Sequence, residues 1–444
     1  MTRAGVILAA GLGTRMKSAL PKVMHEIAGR PMLGYVIDAM RAAQVDRIVV
    51  VTHAEGAEVR AYAAGRDAES AVQDEQLGTG HAAACAAAAL SDFGGDVVVC
   101  YGDMPLIRPE TFSDSFAARA RTGMAMVGFR PADPAAYGRM IVDAHELLDR
   151  IVEFKDASPA ERAVDLCNAG ILTADAKSFF RWAGALSNDN AQREYYLTDV
   201  PSLAKSEGVR CAVVTASETD MMGVNSRADL AAAEAAMQRR LRARALDAGA
   251  GMVAPETVHL SFDTVLEPDC LIEPYVVFGP GVTVRSGARV RAHSHLEGAE
   301  IRTGAVAGPF ARLRPGAVLE ENVHIGNFVE VKNSRVEKGA KANHLAYLGD
   351  ARVGQGANIG AGTITCNYDG FDKHPTDIGA GAFIGSNTAL VAPVKVGDGA
   401  YVGAGSTIAK DVEADSLAVT RAAQRGIAGW AGKFRQRKKS ERKA

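Results

Sequence analysis

Residues 378–408 read IGAGAFIGSNTALVAPVKVGDGAYVGAGSTI, and every sixth residue in the stretch is aliphatic: Ile378, Ile384, Leu390, Val396, Val402 and Ile408. A step of six fits neither the 3.6-residue turn of a helix nor the two-residue alternation of a strand. It is the period of hexapeptide repeats, in which a short strand plus a turn forms one side of a prism and stacked coils bury a continuous core. The same step runs through Ile272, Phe278, Val284, Val290 and Leu296, then through Leu313, Leu319, Ile325 and Val331, and after a one-residue slip through Val336, Ala342 and Leu348. At about 18 residues per coil, the region up to Ile408 holds roughly eight coils of a parallel β-helix.

The regularity is broken once more. Val353, Ile359 and Thr365 keep the step, and then "CNYDGFDKHPTD", residues 366–377, interrupts it with polar residues. Insertions in solenoids are commonly tolerated loops, but this one carries Asn367, Tyr368 and Lys373 out of a flat wall. Nearby lie Arg314, Lys332, His344 and Tyr347. A lone His on such a repeat also fits a structural role; what points further is three cations for an anionic substrate beside a group that can take a proton.

The first half has a different texture. "GVILAA", "RIVVVT", "VVVCYGD" and "MAMVGF" are short apolar runs bounded by Gly or charge, as buried strands are. Between the first two, Leu33, Val36, Ile37 and Met40 fall at helical spacing after Pro31. Alternation of this kind implies a largely parallel α/β sheet. "NSRADLAAAEAAMQRRLRARALDAGAG" then reads as one long helix, capped by the pair Ser226 and Asp229 and stopped at Gly249.

Gly11 and Gly13 directly follow the first strand, where backbone N–H groups bind phosphates. The dinucleotide fingerprint GxGxxG fails because residue 16 is Met16, and no Gly-Lys-Ser/Thr ending makes a P-loop. A tight turn without a ligand fits the two glycines equally well; Arg15 and Lys22, two cations close behind, favour phosphate. Asp103, placed after "VVVCYG" at the carboxyl end of the sheet, suits either a loop cap or a Mg²⁺ ligand.

With 50 Lys and Arg against 52 Asp and Glu, the net charge of -2 gives no general attraction for nucleic acid or an anionic membrane. The exception is the tail "KFRQRKKSERKA", seven basic residues against one Glu, expected to be solvated and poorly ordered. No window reaches the roughly 20 apolar residues of a membrane span, so no membrane insertion is expected. Six Cys without a CxxC pair suggest free thiols in a reducing cytoplasm.

In order and spacing, "LAAGLGTRM", "LPK", "QLGTGHA", "YGDMPL", "YGRMI", "VEFKDA", "NAGI", "DNAQREYYLTD" and "GVNSR" resemble the nucleotide-sugar pyrophosphorylases. Joined to the hexapeptide half, they resemble the bifunctional bacterial family that makes UDP-N-acetylglucosamine, over essentially the whole chain. The resemblance implies a Rossmann-like α/β nucleotidyltransferase domain at residues 1–225, a linker helix at 226–250, and a left-handed β-helix N-acetyltransferase domain with a C-terminal tail at 251–444. It implies a homotrimer with the acetyl-transfer site between subunits, and UTP, glucosamine-1-phosphate and acetyl-CoA as small-molecule substrates.

Carried over by residue, the resemblance places Leu8, Ala9, Ala10 and Gly11 along the nucleotide and Gln73, Gly78 and Thr79 at uracil. Arg15 and Lys22 would neutralise phosphates, Tyr101, Gly138, Glu153 and Asn168 would hold the sugar, and Asp103 and Asn225 would bind Mg²⁺. In the β-helix, His344 would be the general base, with Arg314, Lys332, Tyr347, Asn358 and Lys373 on glucosamine-1-phosphate. Asn367 and Tyr368 would meet the thioester, while Ala361, Ser386, Ala404 and Arg421 would line acetyl-CoA. Two alternatives remain open at this level: a pyrophosphorylase whose β-helix only regulates or oligomerises, and a non-enzymatic binding or regulatory subunit built from the same two modules.

Overall fold

The structure, a computed structural model, describes residues 2–134, 137–190 and 192–442. The chain divides into two compact units, one ending at Ala243 and the other beginning at Arg244.

The first unit is built on nine strands: β1 (Arg3–Leu8), β2 (Arg47–His53), β3 (Glu69–Gln73), β4 (Asp96–Tyr101), β5 (Gly123–Phe129), β6 (Arg139–Val142), β7 (Leu148–Val152), β8 (Cys167–Asp175) and β9 (Arg210–Ala216). The order across the sheet is β9-β5-β8-β4-β1-β2-β3, with the β6–β7 hairpin hanging from β8. β1, β2, β3 and β4 pair in parallel, each reached by a crossover; β1, β2 and β4 are buried almost throughout, while the edge strand β3 buries only Gln73. Only β8 runs against its neighbours β4 and β5. The sheet reverses direction of growth at β1, whose neighbours are β2 on one side and β4 on the other. Leu8 and Tyr101 are register partners at the carboxyl ends there, so a crevice opens beside them.

The helix expected after Pro31 is α1 (Met32–Ala42), which buries Leu33, Val36, Ile37 and Met40; Pro31 is the residue just before it. α2 (Thr79–Ala84) follows the loop after β3. The long helix is α3 (Arg227–Asp247). Its start is fixed reciprocally, since Asp229 Oδ2 accepts from Ser226 N at 2.9 Å while Ser226 Oγ accepts from Asp229 N at 3.2 Å. Gly249, at φ 94°, turns the chain out of it.

The second unit is a β-helix of three parallel walls with ten, eight and eight strands. The first wall runs from Gly251–Met252 to Leu417–Ala418, the second from Val277–Phe278 to Thr407–Ile408, the third from Val265–Leu266 to Val394–Val396. Every residue at the six-residue step named above is at most 3 % exposed. Successive coils pair 17 or 18 residues apart, as in His324 with Lys341 and Phe383 with Tyr401, but 25 apart in Asn358 with Phe383. The polar interruption therefore adds seven residues to one coil and leaves the inward phase untouched.

The corner between the first and second walls is unusual. Corners turn through the left-handed region, which suits Gly and Asn, yet Tyr275, His293, Phe310, Phe328 and Leu345 all sit there with φ of 50–60°. Such a conformation costs about 1–2 kcal/mol per residue. Stacking offsets part of it: the first four rings pile up with centroids 5.0, 4.9 and 5.2 Å apart.

The basic tail departs from expectation. It forms α4 (Trp430–Glu441), exposed on every side with no buried residue. Lys, Arg and Gln are good helix formers, and Trp430 stacks on Phe434 at 5.0 Å while Lys438 pairs with Glu441. Among the described residues no helix is long and apolar enough to cross a membrane. All six Cys are free thiols.

Leu348 lies at the centre of the coil that precedes the interruption and is fully buried. Leu348→Ala is expected to cost about 2–5 kcal/mol, read as a lowered urea midpoint for the β-helix transition.

Candidate active sites

The crevice at the switch point of the α/β sheet is a cavity of about 740 Å³. Leu8, Ala9, Ala10, Gly11, Lys22, Gln73, Gly78, Thr79, Tyr101, Asp103, Gly138, Glu153, Asn168 and Asn225 all line it. Arg15 is not among the lining residues; its Nη2 reaches Asn225 Oδ1 at 2.9 Å from the exposed glycine loop.

Asp103 and Asn225 come from distant parts of the chain and are joined through the backbone, Val224 N donating to Asp103 O at 2.9 Å. Asn225 N also donates to Asp229 Oδ2 at 3.0 Å, so the cap of α3 orients this residue. Lys22 Nζ pairs with Asp103 Oδ2 and donates to Asn225 Oδ1 at 3.2 Å. The loop can approach this closely because residue 13 is glycine: at φ 61°, a Cβ there would stand 2.8 Å from Lys22 Cβ. Arg227 Nε holds the same loop through Met16 O at 3.2 Å.

Gln73 is buried, its amide nitrogen donating to Gly78 O at 3.2 Å, which turns Oε1 toward other donors. Thr79 Oγ1 accepts from Leu197 N at 3.1 Å and bonds Tyr101, whose hydroxyl is raised above its ordinary pKa by burial and by the nearby Asp103 and Glu153 carboxylates. Burial also raises Glu153, which accepts from Thr198 Oγ1 at 3.3 Å. Asn168 Oδ1 accepts from Gly170 N at 2.9 Å. Gly170 must lack a side chain: at φ 74°, a Cβ would fall 2.0 Å from the Tyr101 ring.

Sequence reasoning missed one wall of this cavity. Gln192, Glu194, Tyr196 and Thr198 line it, with Tyr195 N bonding Leu77 O at 2.7 Å and Gly80 N bonding Tyr195 O at 2.8 Å. Gln76, whose amide donates to Ala10 O at 2.8 Å, ties the glycine loop to the same wall. The signal was present in the polar run "DNAQREYYLTD", whose many hydrogen-bonding side chains suit a binding surface better than a core.

In the β-helix the candidate residues fall into three groups. On the second wall, Arg314 and Lys332 lie in neighbouring coils, Tyr347 one coil further. Arg314 Nη1 donates to Glu330 Oε1 at 2.8 Å. Lys373 reaches back from the interruption to Lys332, and this contact, the Lys373 charge and Arg314 hold Lys332 below the usual lysine pKa range. Crowded cations of this kind form a ready site for a phosphate.

The interruption is a braced turn. Asp369 accepts from the backbone of Asp372 and Phe371, each at 2.8 Å, and from His374 Nε2 at 2.8 Å, which together hold it at about 2. Tyr368 bridges to Lys373, and Phe371 stands 91 % exposed at the tip. Asn367, only 7 % exposed, gives one of its two amide protons to Asp350. Asp350 also accepts from Asn333 at 2.6 Å.

The third group belongs to the first wall and its corner. Asn327 Oδ1 lies 2.6 Å from His344 Nδ1. A carbonyl oxygen only accepts, so in the neutral imidazole this bond puts the proton on Nδ1 and leaves the lone pair on Nε2. Asn327 was not anticipated. Asn358 stands on this wall, in register with Lys341 and Phe383. Ala361, Ser386 and Ala404 climb the corner rung by rung: Asn387 N donates to Ala361 O at 2.7 Å, Gly405 N to Ser386 O at 2.8 Å, and Arg421 closes on Ala404 O. The corner that is aromatic as far as Phe328 thus becomes small-sided beyond Leu345.

Among proteins of known sequence, residues 5–165 match the model of the MobA-like NTP transferase domain, and residues 375–410 that of the bacterial transferase hexapeptide. The bifunctional protein GlmU of Ruegeria sp. (strain TM1040) is 54 % identical over 98 % of this chain and 97 % of its own. The chain belongs to the GlmU family. GlmU of Zymomonas mobilis is 49 % identical over 98 % of both chains, and that of Acidiphilium cryptum 54 % identical over 99 % of both.

The crowded lysines give this GlmU-family chain a pH signature. Because the folded pKa of Lys332 is lowered, the unfolded chain binds more protons between that value and the ordinary one near about 10.4, so stability rises with pH across that window. Lys373→Met should flatten that rise in thermal melts taken at alkaline pH below the ordinary lysine value. At neutral pH, inorganic phosphate should raise the melting temperature of the unsubstituted chain more than that of the variant.

Proposed function

We propose that the chain is a bifunctional enzyme that acetylates glucosamine-1-phosphate with acetyl-CoA and then transfers a uridylyl group from UTP to the N-acetylated sugar phosphate. The observation that carries the second step is the convergence of Asp103, Asn225, Lys22 and Arg15 beside a cavity of about 740 Å³, a volume that suits a small-molecule ligand. Full-length kinship to GlmU supports both steps.

In uridylyl transfer, Gln73 Oε1 would accept the imide N–H of uracil, with Gly78 and Thr79 completing that edge through their backbone, since the Thr79 hydroxyl is engaged. Glu153, Asn168 and Tyr101 would grip the sugar hydroxyls and acetamido group, Gly138 leaving room beside Glu153. The sugar phosphate oxygen attacks the α-phosphorus in line, its bond forming as that to pyrophosphate breaks. Lys22 and Arg15 gather the charge of the departing pyrophosphate. The residues fit a magnesium ion: two oxygen donors, Asp103 Oδ2 and Asn225 Oδ1, already converge on a cation, and Mg²⁺ leaves its other positions to water and phosphate. When bound, Mg²⁺ neutralises charge on the triphosphate.

In acetyl transfer, His344 Nε2 would take a proton from the glucosamine ammonium so that the free amine attacks the thioester carbon and coenzyme A thiolate leaves. The second N–H of Asn367 and the backbone near Tyr368 would meet the developing oxyanion. Arg314, Lys332 and Lys373 would hold the phosphate, with Tyr347 and Asn358 beside the sugar, and coenzyme A would lie along Ala361, Ser386, Ala404 and Arg421. His344 and the cations stand on different walls, so a substrate must bridge a corner or two copies. We place this site in a cytoplasmic homotrimer; the exposed Phe371 tip and the exposed corner of Tyr275, Phe310, Phe328 and Leu345 are apolar surface for another copy to cover.

Pure protein given glucosamine-1-phosphate, acetyl-CoA, UTP and Mg²⁺, with each omitted in turn, should release coenzyme A thiol without UTP but pyrophosphate only with all four. His344→Ala should lower thiol release about a hundredfold or more and leave uridylylation of supplied N-acetylglucosamine-1-phosphate intact. Asp103→Ala should do the reverse. Loss of both activities from either substitution in folded protein would overturn the two-site assignment. Gly170→Ala, by displacing the Tyr101 ring, should raise KM for the sugar phosphate more than KM for UTP.

A further inference from the structure

Asp103 and Asn225 are held toward each other by the Val224–Asp103 backbone bond and by the cap of α3, so their oxygens converge before any ligand arrives. The point on which they converge is taken by the Lys22 ammonium, paired with Asp103 Oδ2 and 3.2 Å from Asn225 Oδ1. The Arg15 guanidinium caps the same Asn225 oxygen at 2.9 Å. Lys22 and Asp103 side chains are 16 % and 14 % exposed, so this pair is shielded, unlike a loose surface ion pair.

We propose that Lys22 is a place-holder cation for this metal site: it fills the oxygen pair in the ligand-free protein, excludes a divalent ion arriving alone, and vacates the position when a triphosphate offers it a better anion. The inference rests on the reading of Asp103 and Asn225 as metal ligands. With Lys22 and Arg15 in place, a divalent cation at the two oxygens would meet two positive charges at contact range, with a lone pair of each oxygen taken by Lys22 and a further one of Asn225 Oδ1 by Arg15. A triphosphate reverses the balance, because its oxygens supply new partners for both side chains and the remaining ligands for the metal.

The backbone is arranged for such an exchange. Gly13 rests against Lys22 Cβ and Arg227 holds Met16 O, so the loop is pinned on both sides of Arg15. Only the two long side chains have to swing. Metal and nucleotide binding thereby become coupled, each clearing the way for the other.

The test uses the full chain without nucleotide, titrated with Mn²⁺ and followed by the electron paramagnetic resonance signal of the free ion. Lys22→Met should bind Mn²⁺ about tenfold or more tightly than the unsubstituted protein, the effect of removing a like charge in contact. Lys22→Gln, which keeps polarity and fits the same short turn, should do the same and serves if the first variant is poorly folded by circular dichroism. Adding Asp103→Asn to either should abolish the gain. If both Lys22 variants bind Mn²⁺ no more tightly while binding still depends on Asp103, the place-holder is wrong and the metal site stands. If Mn²⁺ binding is indifferent to Asp103 and Asn225, the metal-site reading itself fails.

Discussion

Parallel strand pairing is the constraint on which both halves of this chain depend. A parallel strand cannot be joined to its neighbour by a tight turn, so the chain must travel a long way before its next rung. In the α/β sheet the travel is a helical crossover, and the place where crossovers reverse, between β1 and β4, cannot be covered by the chain that made it. In the β-helix the travel is the rest of the coil, and the ladder is closed by bonds such as Arg289 N to Ala305 O and Tyr401 N to Ser416 O. The candidate sites lie where the ladders end or bulge: at the carboxyl ends of Leu8 and Tyr101 in one case, and at the expelled turn of Asn367 to Lys373 in the other.

How legible each part was follows from the range of the interactions that made it. The inward step of the β-helix is a local rule repeated many times, so residues such as Val290 and Leu390 announced themselves, and the walls run from Gly251, well ahead of the segment 375–410 matched by the hexapeptide model. The buried strands and α1 were visible for the same reason. The β6–β7 hairpin was not, since it buries only Arg139, Met140 and Leu148 and takes its place from pairing with β8. The tail looked disordered because charge dominates it; helix propensity and one aromatic pair decided otherwise.

The candidate sites were legible as residue types and illegible as partnerships. Asp103, Asn225 and Lys22 could each be singled out, but that one ammonium lies between the two oxygens depends on contacts spanning 81 and 203 residues. Asn327 lies seventeen residues before His344, one coil away, a separation that means nothing until the coil length is known. Likewise Asp350 braces Asn367 from the preceding turn. The cavity wall at residues 192–198 needed its docking on Leu77 and Gly80 to be recognised.

The coil of 25 residues has an implication for how such a protein diversifies. Thr365 before the extra segment and Ile378 after it both face inward, and the strands on either side pair as though nothing lay between them. The solenoid is therefore indifferent to the exposed part of the segment, residues 368–373, whereas Thr376 and Asp377 pair within the third wall and the buried Asn367 is tied to Asp350. Length and sequence can change in that exposed stretch without repacking a core side chain, so this coil is a socket into which evolution or an engineer can fit a different reactive loop while the scaffold keeps its shape.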